Sequence, residues 1–130
     1  KTDFPELEII LNGGIKTLDQ CEEHLQVFDG VMLGREAYHN PYILAEVDQR
    51  LFGSSAPVIS RAHALALLRP YIAAHLAAGG SMHHITRHIL GLGQGFPGAR
   101  RFRQLLSVDI HKAKDPLALL DQAGELLEGR

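Results

Sequence analysis

Two short apolar runs, each stopped by glycine, constrain this chain more than any other feature. Leu7, Ile9, Ile10 and Leu11 run into Asn12-Gly13-Gly14, and Val31, Met32 and Leu33 run into Gly34-Arg35. Near-continuous apolar runs of this length predict strands buried on both faces, the habit of parallel sheets covered by helices. Between them Thr17 and Gln20 have capping-box spacing, and Leu18, Cys21 and Leu25 recur at helical intervals, so a helix is expected over residues 18–27. Asp29-Gly30 then turns the chain into the second strand. Strand, helix and strand make a right-handed βαβ unit. Both strand tips carry glycine, where backbone N–H groups approach an anion with no Cβ in the way.

After Gly34-Arg35 a short loop leads to Asn40-Pro41, an N-cap residue followed by proline at the first helical position. Ile43, Leu44, Val47 and Leu51 are expected to be the buried stripe of that helix. Gly53-Ser54-Ser55-Ala56-Pro57 marks a boundary, and no strand pattern returns after it. Leu65, Leu68, Ile72 and Leu76 line one helical face, with Pro70 expected to kink or split the helix and Gly79-Gly80 to end it. A second helix is expected from Ser81, with Met82, Ile85 and Ile89 inward, ending at Gly91, Gly93 and Gly95. A third follows Pro97-Gly98 and buries Phe102, Leu105, Leu106 and Ile110. A fourth opens at Asp115-Pro116 and carries Leu119, Leu120, Leu126 and Leu127.

Two parallel strands cannot make a stable sheet alone, because both faces and both edges need cover. Either strands upstream supply it, or a second copy pairs through the exposed strands. The first is favoured, since a (β/α)8 barrel needs ~250 residues and commonly builds a phosphate site in the loops after its last two strands. The chain also opens on lysine rather than methionine, as expected if it begins inside something longer. The fold class is therefore α/β plus all-α: the last two β/α units of a TIM barrel over residues 1–56, then a four-helix bundle over residues 57–130.

The net charge of −2 hides an asymmetry. Residues 1–59 carry four basic and ten acidic side chains, whereas residues 60–114 carry eight basic ones against Asp109 alone, with six of the eight histidines. A basic middle beside acidic segments is the pattern of a surface for an anionic polymer, although an evenly solvated helical surface reads the same way. No apolar run approaches the ~20 residues of a membrane span, and no signal peptide opens the chain, so a cytoplasmic protein with no membrane partner is expected. A single cysteine excludes an internal disulfide.

Asn12, Gly13 and Gly14 at one tip, with Gly34 and Arg35 at the next, are the candidate anion cradle. A phosphate monoester there gains charge-assisted hydrogen bonds worth about 1.5–3 kcal/mol each, and arginine binds it bidentately. The competing reading is a pair of tight turns with Arg35 in a rim ion pair. On the third helix of the bundle Arg100 and Arg103 are 60° apart at 100° per residue and share a solvent face, with Arg101 on the other flank. Arginines on a rigid helix grip RNA phosphates or stack on splayed bases. His84 and His88, four apart, have the spacing of metal ligands, but no cysteine or carboxylate completes a tetrahedral set, and a polar surface is the better reading. Cys21 sits on the apolar face of its helix, as a buried thiol would, and His39 reads as part of the loop that seats the following helix.

LNGGIKTLDQ, VMLGREAYHNPYILAEVD and HHITRHILGLGQGFPGARRFRQLLS, in this order and at these separations, resemble the C-terminal third of tRNA-dihydrouridine synthases, most closely their A-type branch. The resemblance covers nearly the whole chain and is weakest after about Lys112. It implies an FMN-containing barrel followed by a four-helix RNA-binding domain, reducing the C5–C6 bond of D-loop uridines in tRNA with electrons from NADPH. By motif, Asn12, Gly13, Gly14, Gly34 and Arg35 would hold the FMN phosphate, and Arg100 and Arg103 would contact tRNA. The acid cysteine of the family belongs to an upstream loop that Cys21 does not match, so no catalytic residue is expected in this stretch and the stretch alone is expected to be inactive. Two alternatives remain open: another flavin- or phosphate-binding barrel oxidoreductase, or a basic helical RNA-binding module with no enzymatic role.

Overall fold

A computed structural model describes residues 1–128. Its α/β part pairs β1 (Ile10–Asn12) with β2 (Gly30–Met32) in parallel, Ile10 opposite Gly30, Leu11 opposite Val31 and Asn12 opposite Met32. Between them runs α1 (Leu18–Leu25), capped by the Thr17 hydroxyl, which accepts from the Gln20 N–H at 3.1 Å. The Gln20 carboxamide reaches back to the Lys16 N–H at 2.7 Å, one residue before the cap. Val27, expected inside this helix, lies beyond it and is exposed.

The strands are covered on one face only. Leu11, Val31 and Leu33 pack with Ile15, Leu18 and Cys21 of the α1 layer, while Ile10 is 51% and Met32 55% exposed on the other face. The expectation of burial on both faces is corrected: among the described residues the sheet has these two strands, and nothing covers its second face. Gly30 is required where it stands, because a Cβ there would lie 2.6 Å from Ile10 Cδ1 of the neighbouring strand.

After β2 come α2 (Arg35–His39), a 3-10 segment (Pro41–Glu46) and α3 (Val47–Phe52). The 3-10 turn accounts for one misplaced residue. At three residues per turn, Leu44 rotates out of the stripe and is 50% exposed, while Ile43, Val47 and Leu51 stay against the core. Arg50 ties α3 to α1, its Nε donating to Glu22 at 2.7 Å and its terminal nitrogen to Asp19. Residues 53–60 belong to no helix or strand, and Tyr42 anchors them by donating its hydroxyl to the Ile59 carbonyl at 2.7 Å.

The remainder is helical: α4 (Arg61–Ala77), α5 (His83–Thr86), a 3-10 segment (Leu90–Gly93), α6 (Ala99–Ser107), a 3-10 turn (Asp109–Lys112) and α7 (Pro116–Leu126). Leu65, Ile72, Met82, Phe102, Leu105, Leu106, Ile110, Leu120 and Leu127 form its core. Burying a side chain the size of Phe102 contributes about 1.5–3 kcal/mol, so this cluster dominates the stability of the part.

Pro70 does not split α4, which runs on through it. The carbonyl that loses its donor belongs to exposed Ala66 and is open to solvent, so the missing N–H costs little. The second helix shrinks to the single turn of α5, because Gly91 and Gly93 are poor helix formers and both are pressed against other backbone. Gly91 meets the His39 carbonyl and Gly93 meets Ala99. Three helices of two turns or more therefore surround this core, with short turns where the fourth was expected. Asp115 caps α7 as its sequence position implies, accepting from the Ala118 N–H at 3.2 Å.

Candidate functional site

The two glycine-bearing tips converge. Asn12, Gly13 and Gly14 from the end of β1, and Gly34 and Arg35 from the end of β2, line one open hollow of about 720 Å³ together with Lys16, Glu36 and His39. Parallel pairing in register is what brings them there, since Asn12 stands opposite Met32 and the chain leaves both strands at the same end of the sheet.

The local backbone explains two of the glycines. Gly13 has φ +106° and Gly14 φ +71°, a left-handed conformation that L side chains rarely adopt. Gly34 has φ −105°, open to any residue. A Cβ at Gly13, Gly14 or Gly34 would meet no atom of the chain within 4 Å. All three therefore leave room for close approach to the backbone, and the first two are also dictated by the turn itself.

Lys16 and Arg35 bring two cations to this hollow, and Glu36 one carboxylate. Lys16 and His39 were not picked out from the sequence as lining residues, although Lys16 stands between the glycine turn and the N-cap of α1, where a side chain borders the strand tip. The hollow is much larger than a single phosphate.

Arg100, Arg101 and Arg103 are exposed on α6, opposite buried Phe102, Leu105 and Leu106. Arg101 is engaged by Asp109 at 3.0 Å. Arg103 borders a second hollow, which shares His39 with the first, and Arg100 does not.

Cys21 is fully buried beneath α1. Burial pushes its thiol above the ordinary value, an effect that Arg50 partly offsets. Such a thiol packs and does not react. His84 and His88 point to different partners, His84 to the His75 ring at 6.2 Å and His88 to the Tyr38 hydroxyl at 2.9 Å. Among the described residues no group of three His, Cys, Asp or Glu side chains is placed to hold a metal ion, and no helix is long and apolar enough to cross a membrane.

Over residues 1–127 the chain matches the family described as dihydrouridine synthase (Dus). It is 81% identical over 129 residues to a tRNA-dihydrouridine(20/20a) synthase of Pseudomonas syringae pv. tomato, covering 99% of this chain and 38% of that protein. Proteins of the same name from Pseudomonas putida and Pseudomonas aeruginosa are 77% and 75% identical over 130 residues, each covering all of this chain and 39% of the relative. The chain thus spans somewhat more than a third of the length of the curated relatives it matches. A match over nearly every residue, with the paired glycine tips inside it, has one consequence: this chain belongs to the dihydrouridine synthase family.

Proposed function

We propose that the protein containing this chain reduces D-loop uridines of tRNA to 5,6-dihydrouridine, with FMN as its flavin and NADPH as its electron source. The uridines are those at positions 20 and 20a, for which the relatives are named. The observation that carries the reading is the meeting of Asn12, Gly13, Gly14, Gly34 and Arg35 around one hollow in a chain of this family.

FMN fits the residues present. Its phosphate monoester suits two glycine turns whose backbone a ligand can approach closely, and the Arg35 fork with the Lys16 ammonium supplies opposite charge. When bound, the flavin would supply the hydride chemistry, and these residues would hold and orient it. The residues that do chemistry on the base lie outside this chain, so the chain alone is inactive and holds FMN weakly.

In this reading residues 1–56 are the last two β/α units of a TIM barrel. The uncovered face and edges of β1 and β2, with Ile10 and Met32 exposed, are where the rest of the barrel packs. Residues 57–130 are the tRNA-binding helical domain, a four-helix bundle whose second member is reduced to short turns in this chain, and Arg100 and Arg103 contact the RNA. The protein works in the cytoplasm, where its tRNA is. Self-association through the exposed strands is the outcome for the chain taken alone.

The test uses the full-length protein. Arg35→Ala and Gly14→Val are expected to lower the flavin bound per chain on purification, and to remove dihydrouridine from tRNA when each variant replaces the native gene, read by mass spectrometry of digested tRNA. Retention of stoichiometric flavin by both variants overturns the assignment of the cradle. Unchanged dihydrouridine in tRNA from a strain lacking the gene overturns the function.

A further inference from the structure

Between the α/β part and the helical part lies a second hollow of about 270 Å³, bordered by Tyr38 and His39 from one side and by Arg87, His88, Gln94 and Arg103 from the other. No carboxylate borders it among the described residues, although the chain as a whole is acidic. Its hydrogen bonds run in one direction. The Arg87 Nε–H donates to His88 Nε2 at 3.2 Å, so this nitrogen accepts and the imidazole proton sits on Nδ1. Nδ1 lies 2.9 Å from the Tyr38 oxygen and donates to it. The Tyr38 O–H is thereby left with its own proton to give. The hollow offers two guanidinium groups and a phenol donor to whatever enters, donors that suit the acceptor oxygens of a phosphodiester.

His39 borders both hollows. Its carbonyl is packed against Gly91, where a Cβ would lie 2.1 Å from the oxygen. One residue, locked by contact with the helical part, therefore separates the glycine cradle from the arginine cleft. The smaller volume suits a phosphate with its ribose and is below the ~300–1,000 Å³ usual for cofactor pockets.

We propose that this cleft seats one backbone phosphodiester of the RNA strand, held by Arg87 and Arg103 and by the Tyr38 hydroxyl that His88 orients, and so fixes the strand one residue away from the flavin site. The proposal rests on the RNA reading above and deepens it: Arg87, His88 and Tyr38 become RNA-positioning residues.

The test is binding of labelled tRNA to the full-length protein over a range of salt. Arg87→Gln is expected to weaken binding about tenfold at moderate salt, and to lower the slope of log K against log salt by about one, the signature of one lost phosphate contact. Tyr38→Phe, which keeps the ring, is expected to weaken binding with the slope unchanged. Thermal unfolding of each variant separates loss of contact from loss of fold. If Arg87→Gln and Tyr38→Phe bind like the parent while Arg100→Ala binds more weakly, the cleft is not a subsite and the RNA reading stands. If Arg100→Ala and Arg103→Ala are also silent, the RNA reading falls with it. Weaker binding by Arg87→Gln with an unchanged slope overturns the proposal as well, since a lost phosphate contact must retain one counterion.

Discussion

The Arg61 guanidinium lies 4.2 Å from the centre of the Tyr42 ring and 5.0 Å from that of Phe96. Its Nε donates to the Leu92 carbonyl at 3.0 Å and a terminal nitrogen to the Gln94 carbonyl at 3.3 Å. Tyr42 belongs to the α/β part, and Phe96, Leu92 and Gln94 to the helical part. One side chain at the start of α4 therefore joins the two. Arg61→Ala in the full-length protein is expected to cost about 2–3 kcal/mol, from a cation–π contact worth ~0.5–2 and two modest hydrogen bonds. Arg61→Lys should fall between, because it keeps the charge and loses the planar fork. Urea unfolding measures both, and equal stability of Arg61→Ala and wild type would refute the joint.

Gly91 and Gly34 differ in what a methyl group would meet. At Gly91 it would stand 2.1 Å from the His39 carbonyl oxygen and 3.3 Å from Pro41 Cδ, so backbone must move. Gly91→Ala should cost about 1–3 kcal/mol, the usual penalty of overpacking, and Gly34→Ala, which meets nothing within 4 Å, should leave the unfolding midpoint in place. The same two variants separate a packing glycine from one kept for the hollow. If the hollow holds the flavin as proposed, Gly34→Ala lowers flavin content without lowering stability.

Periodicity made α1, α4, α6 and α7 legible, because each buries one stripe, and Thr17 and Asp115 mark the starts of α1 and α7; the Ser60 cap of α4 came from the structure. That Asn12-Gly13-Gly14 and Gly34-Arg35 end at one hollow was legible too, since neighbouring parallel strands deliver both tips to the same end of the sheet. What periodicity could not show was how single contacts overrule local preference. The turn at Gly91 and Gly93 answers to backbone packing against His39 and Ala99, and the Tyr38 to His88 hydrogen bond joins residues 50 apart. The exposed face of β1 and β2 has the same cause: an apolar run says that a strand wants cover on both sides, but not whether the cover lies in the same stretch of chain.

Thr86 is fully buried, and its hydroxyl donates to the Leu106 carbonyl at 3.0 Å, pinning α5 to α6. Thr86→Val keeps the shape and removes the donor. The expected loss is about 1 kcal/mol, read from the shift in urea midpoint. Thr86→Ser keeps the bond and should lose a similar amount through the missing methyl group. A neutral Thr86→Val would show that the carbonyl is satisfied without it.

Cys21 lies at 0% exposure between Leu18 and the strands, with its thiol pKa raised chiefly by burial. Alkylation of the native protein at this position is therefore expected to be slow even above pH 8, and fast once denaturant opens the core. Cys21→Ala should leave the proposed uridine reduction intact in the full-length protein, whereas Cys21→Ser buries a hydroxyl and should cost about 1–3 kcal/mol. Rapid labelling of the folded protein, followed with a chromogenic disulfide, would contradict a packing role.

His83 faces His111 at 4.6 Å between ring centres, and its Nδ1 is buried with no hydrogen-bond partner. Loss of hydration lowers its pKa below 6.5, and His111, Arg87 and His84 lower it further by repulsion. The folded state therefore holds this ring neutral at a pH where the unfolded chain already takes up a proton. By linkage the stabilising contribution is complete above the unfolded pKa near 6.5, and is lost as pH falls through the lower folded value. Stability should accordingly decline from about pH 7.5 to about pH 5, and the decline should be shallower in His83→Phe than in wild type. His111→Gln should flatten it by less, since it removes a secondary cause and leaves the burial. Asp29 and Asp121, whose carboxyls are held below 3.8 by Lys1 and Arg69, titrate beneath this window and do not contribute to it. Unfolding midpoints of the three proteins across that range decide the matter: parallel curves for wild type and His83→Phe would show that the ring is as freely protonated in the fold as out of it.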